Sequence, residues 1–164
     1  MATVVVTDAN VLINLTHVEK LSLLPILDSY EFVIPSEVLA EISDPDQRTA
    51  VEKALAARFL KEISVDSIAA IELFGVLRDV MGRGEAACLA LAATAGFHLA
   101  SDEKKRFRRR AIELIGEARI IRTERLILEA IQAGHLSVVE ADQCKTILEA
   151  NRYAMSFRSF ADLL

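Results

Sequence analysis

The sequence predicts an α/β domain of three layers, with helices on both faces of a mostly parallel sheet of about five strands. Two observations carry that prediction. Short β-branched segments alternate with segments of helical period along the whole chain. The strand segments are also apolar throughout, as strands buried on both faces are, and do not alternate in polarity.

Thr3 to Thr7, all β-branched, is the first strand, and it runs straight into Asp8. Residues 10–15 read as a short helix, and Leu21, Leu24 and Leu27 give a helical period across 17–28. Phe32 to Ile34 is the second strand. Pro35-Ser36 opens a helix with Val38, Leu39 and Ile42 inward and Glu41 on its polar side, and Pro45 ends it. A longer helix is expected over 46–60, with Val51, Leu55 and Phe59 on one face, and a third strand at Ile63 to Val65. Ile71, Phe74 and Leu77 mark a helix over 68–81, which Gly82-Arg83-Gly84 breaks. Glu85 starts the next helix, rich in alanine and leucine through Ala95, the composition of a helix packed on several sides. Gly96 stops it, and Phe97 to Ala100 is the fourth strand, followed at once by Ser101 and Asp102. A helix over 103–116 turns Phe107, Ala111, Leu114 and Ile115 inward, and Arg119 to Ile121 is a short fifth strand. Helices over 123–133, 139–153 and 157–163 complete the chain. Residues 1–164 are expected to form a single domain, with 137–164 a C-terminal helical extension of it.

Composition excludes several classes. Hydrophobic residues make up 52% of the chain, too many for a disordered protein. No apolar run reaches the roughly eighteen residues that suggest a membrane span, and no secretory leader is legible at the start. Two cysteines, Cys88 and Cys144, are no disulfide framework, so a cytoplasmic chain with reduced thiols is expected. The formal charge of −5 is unlike the footprint of a wholly basic nucleic-acid binder and leaves room for local basic patches. The three histidines stand at no metal-ligand spacing, which argues against zinc. No dinucleotide fingerprint, Walker lysine or G-x-S-x-G elbow occurs.

Four acids remain: Asp8, Glu41, Glu85 and Asp102. Each has an ordinary structural reading, as a helix cap, a first-turn acid or a solvated residue. In a parallel sheet, however, the site lies beyond the carboxyl ends of the strands, and Asp8 and Asp102 both follow strands directly. Carboxylates brought together there repel unless a cation neutralises them. Oxygen ligands suit a hard divalent ion, and such an ion activates water and stabilises charge on a phosphodiester.

VVVTDANVLINL, PSEVLAEI, GRGEAACLALA and GFHLASDEKKRF, in this order, resemble the signature stretches of the PIN-domain nucleases over residues 3 to about 135. GRGEA with the later GHL is most similar to small prokaryotic members, among them VapC-type toxin ribonucleases. The resemblance implies a Mg²⁺- or Mn²⁺-dependent endoribonuclease. Asp8, Glu41, Glu85 and Asp102 would be its catalytic acids, and Asp8, Glu85 and Asp102 its metal ligands. It implies that Asn10 supports Asp8 by a hydrogen bond, and that Thr7 and Ser101 line the pocket. Where relatives carry a further acid or asparagine beside the fourth acid, this chain has Ser101 before Asp102 and Glu103 after it. Glu103 could contribute to the site, but its first reading is a first-turn helix residue.

KKRFRRR, Lys104 to Arg110, starts two residues after Asp102 and brings basic groups to the rim of that edge. Lys104, Arg106 and, on the preceding turn, Arg83 are the expected phosphate contacts. The apolar segment 68–81 and the chain end, with Phe157, Phe160 and Leu164, suit self-packing, a homodimer or a surface for a small antitoxin. The expected function is a ribonuclease toxin of a toxin–antitoxin pair. Its alternatives are an RNA-processing or structure-specific PIN nuclease without an antitoxin, and a catalytically silent RNA-binding or scaffold module.

Overall fold

The computed structural model describes residues 1–164. Its five strands are β1 (Thr3–Thr7), β2 (Tyr30–Pro35), β3 (Lys61–Ile63), β4 (His98–Ala100) and β5 (Ile120–Ile121). They form one wholly parallel sheet in the order β3-β2-β1-β4-β5. β1 is the central strand, with Val5 opposite Phe32 on one side and His98 on the other. Val5, Val6 and Thr7 are fully buried, which is why the segment carries no polar alternation.

The helices are α1 (Ala9–His17), α2 (Leu23–Ile26), α3 (Ser36–Glu41), α4 (Pro45–Ala56), α5 (Ile68–Leu77), α6 (Arg83–Ala95), α7 (Lys105–Ile115), α8 (Thr123–Gln132) and α9 (Val138–Ala150). α6 packs against β1, β2 and β4 and is flanked by α5 and α7, while α1 packs with α4, α8 and α9. Helices thus cover both faces of the sheet, as the alternation of segments predicts. α6 is the most enclosed helix, with Ala86 to Ala90 fully buried, so small side chains let it lie close to the sheet. No helix is long and apolar enough to cross a membrane.

Several boundaries differ from the sequence expectation for local reasons. β3 lies at Lys61–Ile63 rather than Ile63–Val65, because an edge strand needs few apolar residues and Lys61 and Glu62 face outward. Pro45 begins α4 and does not end α3, which has already stopped at Glu41. Asp44 caps α4 by accepting from the N–H groups of Asp46 and Gln47, and proline at the first helical position has no N–H to satisfy. α7 begins at Lys105, so Glu103 lies in the loop before it and not in a helical turn. Only one turn of helix forms within 17–28, and 157–163 reduces to a 3₁₀ turn at Phe160–Leu163. That turn is anchored nonetheless. Phe160 is fully buried edge-on to Phe157 at 4.9 Å, and Asp142 accepts from the Phe160 N–H and Ser159 hydroxyl.

The order of strands creates a switch point. The chain builds β1, β2 and β3 outward in one direction, then crosses to place β4 on the opposite side of β1. The carboxyl ends of β1 and β4 therefore border the crevice where open α/β sheets place their sites. Asp8 leaves β1 there, and Ser101, Asp102 and Glu103 leave β4.

Candidate active site

Asp8 caps α1, with Oδ1 accepting the Ala9 N–H at 2.8 Å and Oδ2 accepting the Ser101 hydroxyl at 3.2 Å. Its own N–H donates to the Ala100 carbonyl, extending the β1–β4 ladder past the strand end. Capping alone is a sufficient reason for an aspartate at this position. The electrostatics go further. Burial pushes the Asp8 carboxyl up to about 7, the Ala9 and Ser101 hydrogen bonds only partly offset that, and the charges of Glu103 and Glu85 add to it. No basic group pairs with Asp8, so its negative charge is uncompensated by the protein.

Glu85 stands in the first turn of α6 and accepts the Gly82 N–H at 3.3 Å. It too is raised, first by burial and then by Glu103 and Glu41. Glu41, at the end of α3, accepts the Gly84 N–H at 2.8 Å and so ties α3 to the start of α6. A Cβ at position 84 would lie 2.9 Å from the Glu41 Cδ and closer still to its Oε2. The second glycine of Gly82-Arg83-Gly84 thus makes room for a carboxylate, whereas the sequence suggests only a helix break there.

Asp102 occupies a different environment from the other acids. Oδ1 accepts the Thr123 N–H at 2.8 Å and the Tyr153 hydroxyl at 2.9 Å. Oδ2 accepts the Asn14 amide at 2.8 Å and the Thr123 hydroxyl. A carboxylate has about four acceptor sites, and four contacts converge on this one, the Tyr153 hydroxyl sharing its single proton with Glu124. Asp102 thus joins α1, the first turn of α8 and the segment after α9. Tyr153 also donates toward Glu124, and burial together with Asp102 holds its hydroxyl far above the usual phenol range.

Asn10 does not bond Asp8. Its Oδ1 accepts the Asp102 N–H at 3.1 Å, and its Nδ2 donates to the Glu103 carboxylate at 3.0 Å. Ser101 holds the same loop from the other side, accepting the Glu103 N–H while donating to Asp8. Glu103 is therefore aimed by Asn10, and it is the acid whose charge reaches both Asp8 and Glu85. Its placement in a loop, not a helix, gives it that direction. Thr7 turns inward, its hydroxyl donating to the Val5 carbonyl at 3.3 Å.

The donor set at this edge, Asp8, Glu85 and Glu103 with Glu41 behind, consists of oxygen alone and is short of positive charge, which fits a hard divalent cation. No three acidic, histidine or cysteine side chains are drawn together closely enough to ligate one ion. Asp102 accepts instead from Asn14, Thr123 and Tyr153. Among the basic residues, Arg83 is exposed at the start of α6. Lys104 lines a groove of about 350 Å³ with Asn10, Asp102, Glu103 and Arg152. Arg106 lines a second cavity beside Glu85.

Thr123, Asn14, Glu124 and Tyr153 were not legible as site residues. Thr123 offered the one usable signal, a polar residue directly after a strand, the position that drew attention to Asp8 and Asp102.

No curated protein matches the chain. Among solved structures, the crystal structure of VapBC2 from Rickettsia felis bound to a DNA fragment from their promoter includes a similar chain, at 18% identity and a TM-score of 0.52. The alignment covers 73% of this chain and 96% of that one. The likeness is one of fold, a parallel sheet between helices. A family model, DUF3368, described as a PIN domain, matches residues 4–160. That span includes every acid at the sheet edge, and the chain belongs to the PIN-domain family of nucleases.

Proposed function

We propose that this protein is a divalent-metal-dependent endoribonuclease, the toxin of a toxin–antitoxin pair. The observation that carries the reading is Asp8, a buried carboxylate pushed up to about 7, with Glu85 and Glu103 nearby and no cation paired with it. Asp8 and Glu85 would hold a Mg²⁺ or Mn²⁺ ion, and Glu103, whose charge reaches both, would be the third ligand once the three side chains draw in around it. Glu41 backs the cluster from Gly84. When bound, the ion supplies Lewis-acid stabilisation of the phosphodiester and lowers the pKa of water.

The chain's own residues hold and orient that centre. Ser101 and the Ala9 N–H fix the Asp8 carboxylate, and Asn10 aims Glu103. Asp102 positions the loop by tying it to α1 and α8. Arg83, Lys104 and Arg106 lie around the acids and hold phosphates of the RNA. The exposed apolar face of α5, with Ile68, Ile71 and Val76, is the surface for a homodimer. The VapBC2 likeness supports a small antitoxin as a further partner, and a cytoplasmic location goes with both.

The reading is tested by incubating an RNA and DNA panel with the wild type and Asp8→Asn in Mg²⁺, Mn²⁺ and EDTA. The expected result is RNA cleavage that needs metal and Asp8. Equal cleavage by both proteins, or none by the wild type in any metal, would overturn it.

A further inference from the structure

A cavity of about 490 Å³ opens beside the acid cluster, between the turn joining α5 to α6 and the exposed face of α7. Val80, Met81, Glu85, Arg106, Phe107 and Arg110 line it, and its size is that of ligand pockets, roughly 300–1,000 Å³. Its wall is divided chemically. Val80 and Met81 come from the turn, and Phe107, only 6% exposed, comes from α7, so part of the lining is apolar. The rest is charged, with Arg106 and Arg110 from α7 and the Glu85 carboxylate from α6. Arg106 and Arg110 are four residues apart and share a helix face.

What sets these two arginines apart from Arg109 is that they line the cavity. Arg108 pairs with Glu117 at 3.0 Å. Arg106 forms no ion pair, and Arg110 has only a half-exposed contact with Glu113 at 3.5 Å. Neither pairs with Glu85, although all three line the same cavity.

A phosphate alone has no use for an apolar wall, and an apolar peptide segment has none for two arginines. A nucleotide needs both, since it has a π-faced base and an anionic link at its edge. Glu85, in the cavity wall, is one of the acids proposed to act on the phosphodiester.

We propose that this cavity is a nucleotide subsite, which receives the unstacked base next to the scissile phosphate of a single-stranded RNA. Met81 and Val80 contact the base, and Arg106 and Arg110 hold its phosphate. A base in this position has left any duplex stack. The inference rests on the nuclease reading for its register with the scissile bond. Its binding chemistry is independent of cleavage.

The test is fluorescence anisotropy with a labelled single-stranded RNA in an Asp8→Asn background, alongside the same RNA carrying an abasic site. Met81→Ala, Val80→Ser and Arg110→Ala are compared with Arg109→Ala on the exposed helix surface. Val80 is itself exposed, so its variant reads the site without risk to the fold. Met81→Ala and Val80→Ser should each weaken binding of intact RNA by about threefold and leave the abasic RNA unaffected. Arg110→Ala should weaken both by about fivefold and reduce the salt slope by about one, more than Arg109→Ala does. Equal loss for Arg109→Ala and Arg110→Ala would overturn the proposal in favour of diffuse charge. Affinity unchanged in every variant would also overturn it, and would leave the groove to a protein segment. If RNA is cleaved but the cavity variants bind normally, the nuclease reading stands and the subsite falls. If binding responds but no metal supports cleavage, the subsite stands without the nuclease.

Discussion

Replacing Asp8 by asparagine separates a helix cap from an uncompensated buried charge. Asparagine caps helices about as well as aspartate, and its carbonyl can still accept the Ala9 N–H. As a cap alone, Asp8→Asn is therefore close to neutral. As a buried charge, Asp8 is displaced from its ordinary value of 3.8 to about 7, and at about 1.4 kcal/mol per pH unit this amounts to about 4 kcal/mol. The folded state of the wild type holds this proton more tightly than the unfolded chain does. Wild-type stability is thus fully retained below about pH 4, falls as the pH rises toward about 7, and is level above that. The asparagine variant lacks the Asp8 contribution and keeps only that of the other acids, Glu85 among them. In metal-free buffer at pH 8, Asp8→Asn should be the more stable protein, by up to about 4 kcal/mol and roughly 10 °C in Tm. At pH 4 the two should melt together. The assay is thermal unfolding followed by circular dichroism across pH 4–8 in EDTA, with Mg²⁺ added back at pH 8. The ion should raise the wild-type Tm and leave Asp8→Asn unmoved. A variant that is less stable than the wild type at pH 8, or a difference that does not vary with pH, would refute the reasoning and return Asp8 to a capping role.

Further outcomes follow from the neighbouring contacts. Glu103→Gln removes a charge that raises Asp8, so the pH-dependent fall in wild-type stability should move to lower pH in EDTA, and metal-dependent cleavage should drop. Gly84→Ala places a methyl against the Glu41 carboxylate and should lower the cleavage rate by roughly tenfold or more, with a loss of about 1 kcal/mol in denaturant unfolding. Tyr153→Phe removes the hydroxyl shared by Asp102 and Glu124 and should cost about 1–3 kcal/mol in the same measurement. Ile71→Asp on the exposed face of α5 should leave the fold intact and convert a dimer to a monomer by sedimentation; a wild type that is monomeric at all concentrations would remove α5 from that role.

The architecture was legible because its signals are local. β1 is unbroken β-branched residue and needs burial on both faces, and the alanines of α6 declare a helix pressed on its neighbours. Asp8 was legible for the same reason, since a carboxylate directly after a buried strand can only emerge at one edge. The supporting contacts were not legible, because each joins distant segments. Asn10 lies two residues from Asp8 in sequence yet serves Glu103, 93 residues away. Tyr153 reaches Asp102 across 51 residues, from a segment whose apolar pattern speaks only of packing. The apolar period of 103–116 makes Glu103 a first-turn acid, and the helix begins two residues later, at Lys105. Asp102 accepts from Asn14, Thr123 and Tyr153, while Glu103 lies in the loop where its charge reaches Asp8 and Glu85.

The central claim is that this edge of the sheet is a metal centre for RNA hydrolysis. Its most direct test is the single-turnover rate of RNA cleavage as a function of Mn²⁺ concentration, for the wild type, Asp8→Asn and Glu103→Gln. The account predicts a saturable, EDTA-reversible rise for the wild type, loss of cleavage in Asp8→Asn, and a weaker apparent Mn²⁺ affinity in Glu103→Gln. Cleavage that ignores Mn²⁺ and persists in Asp8→Asn would contradict it.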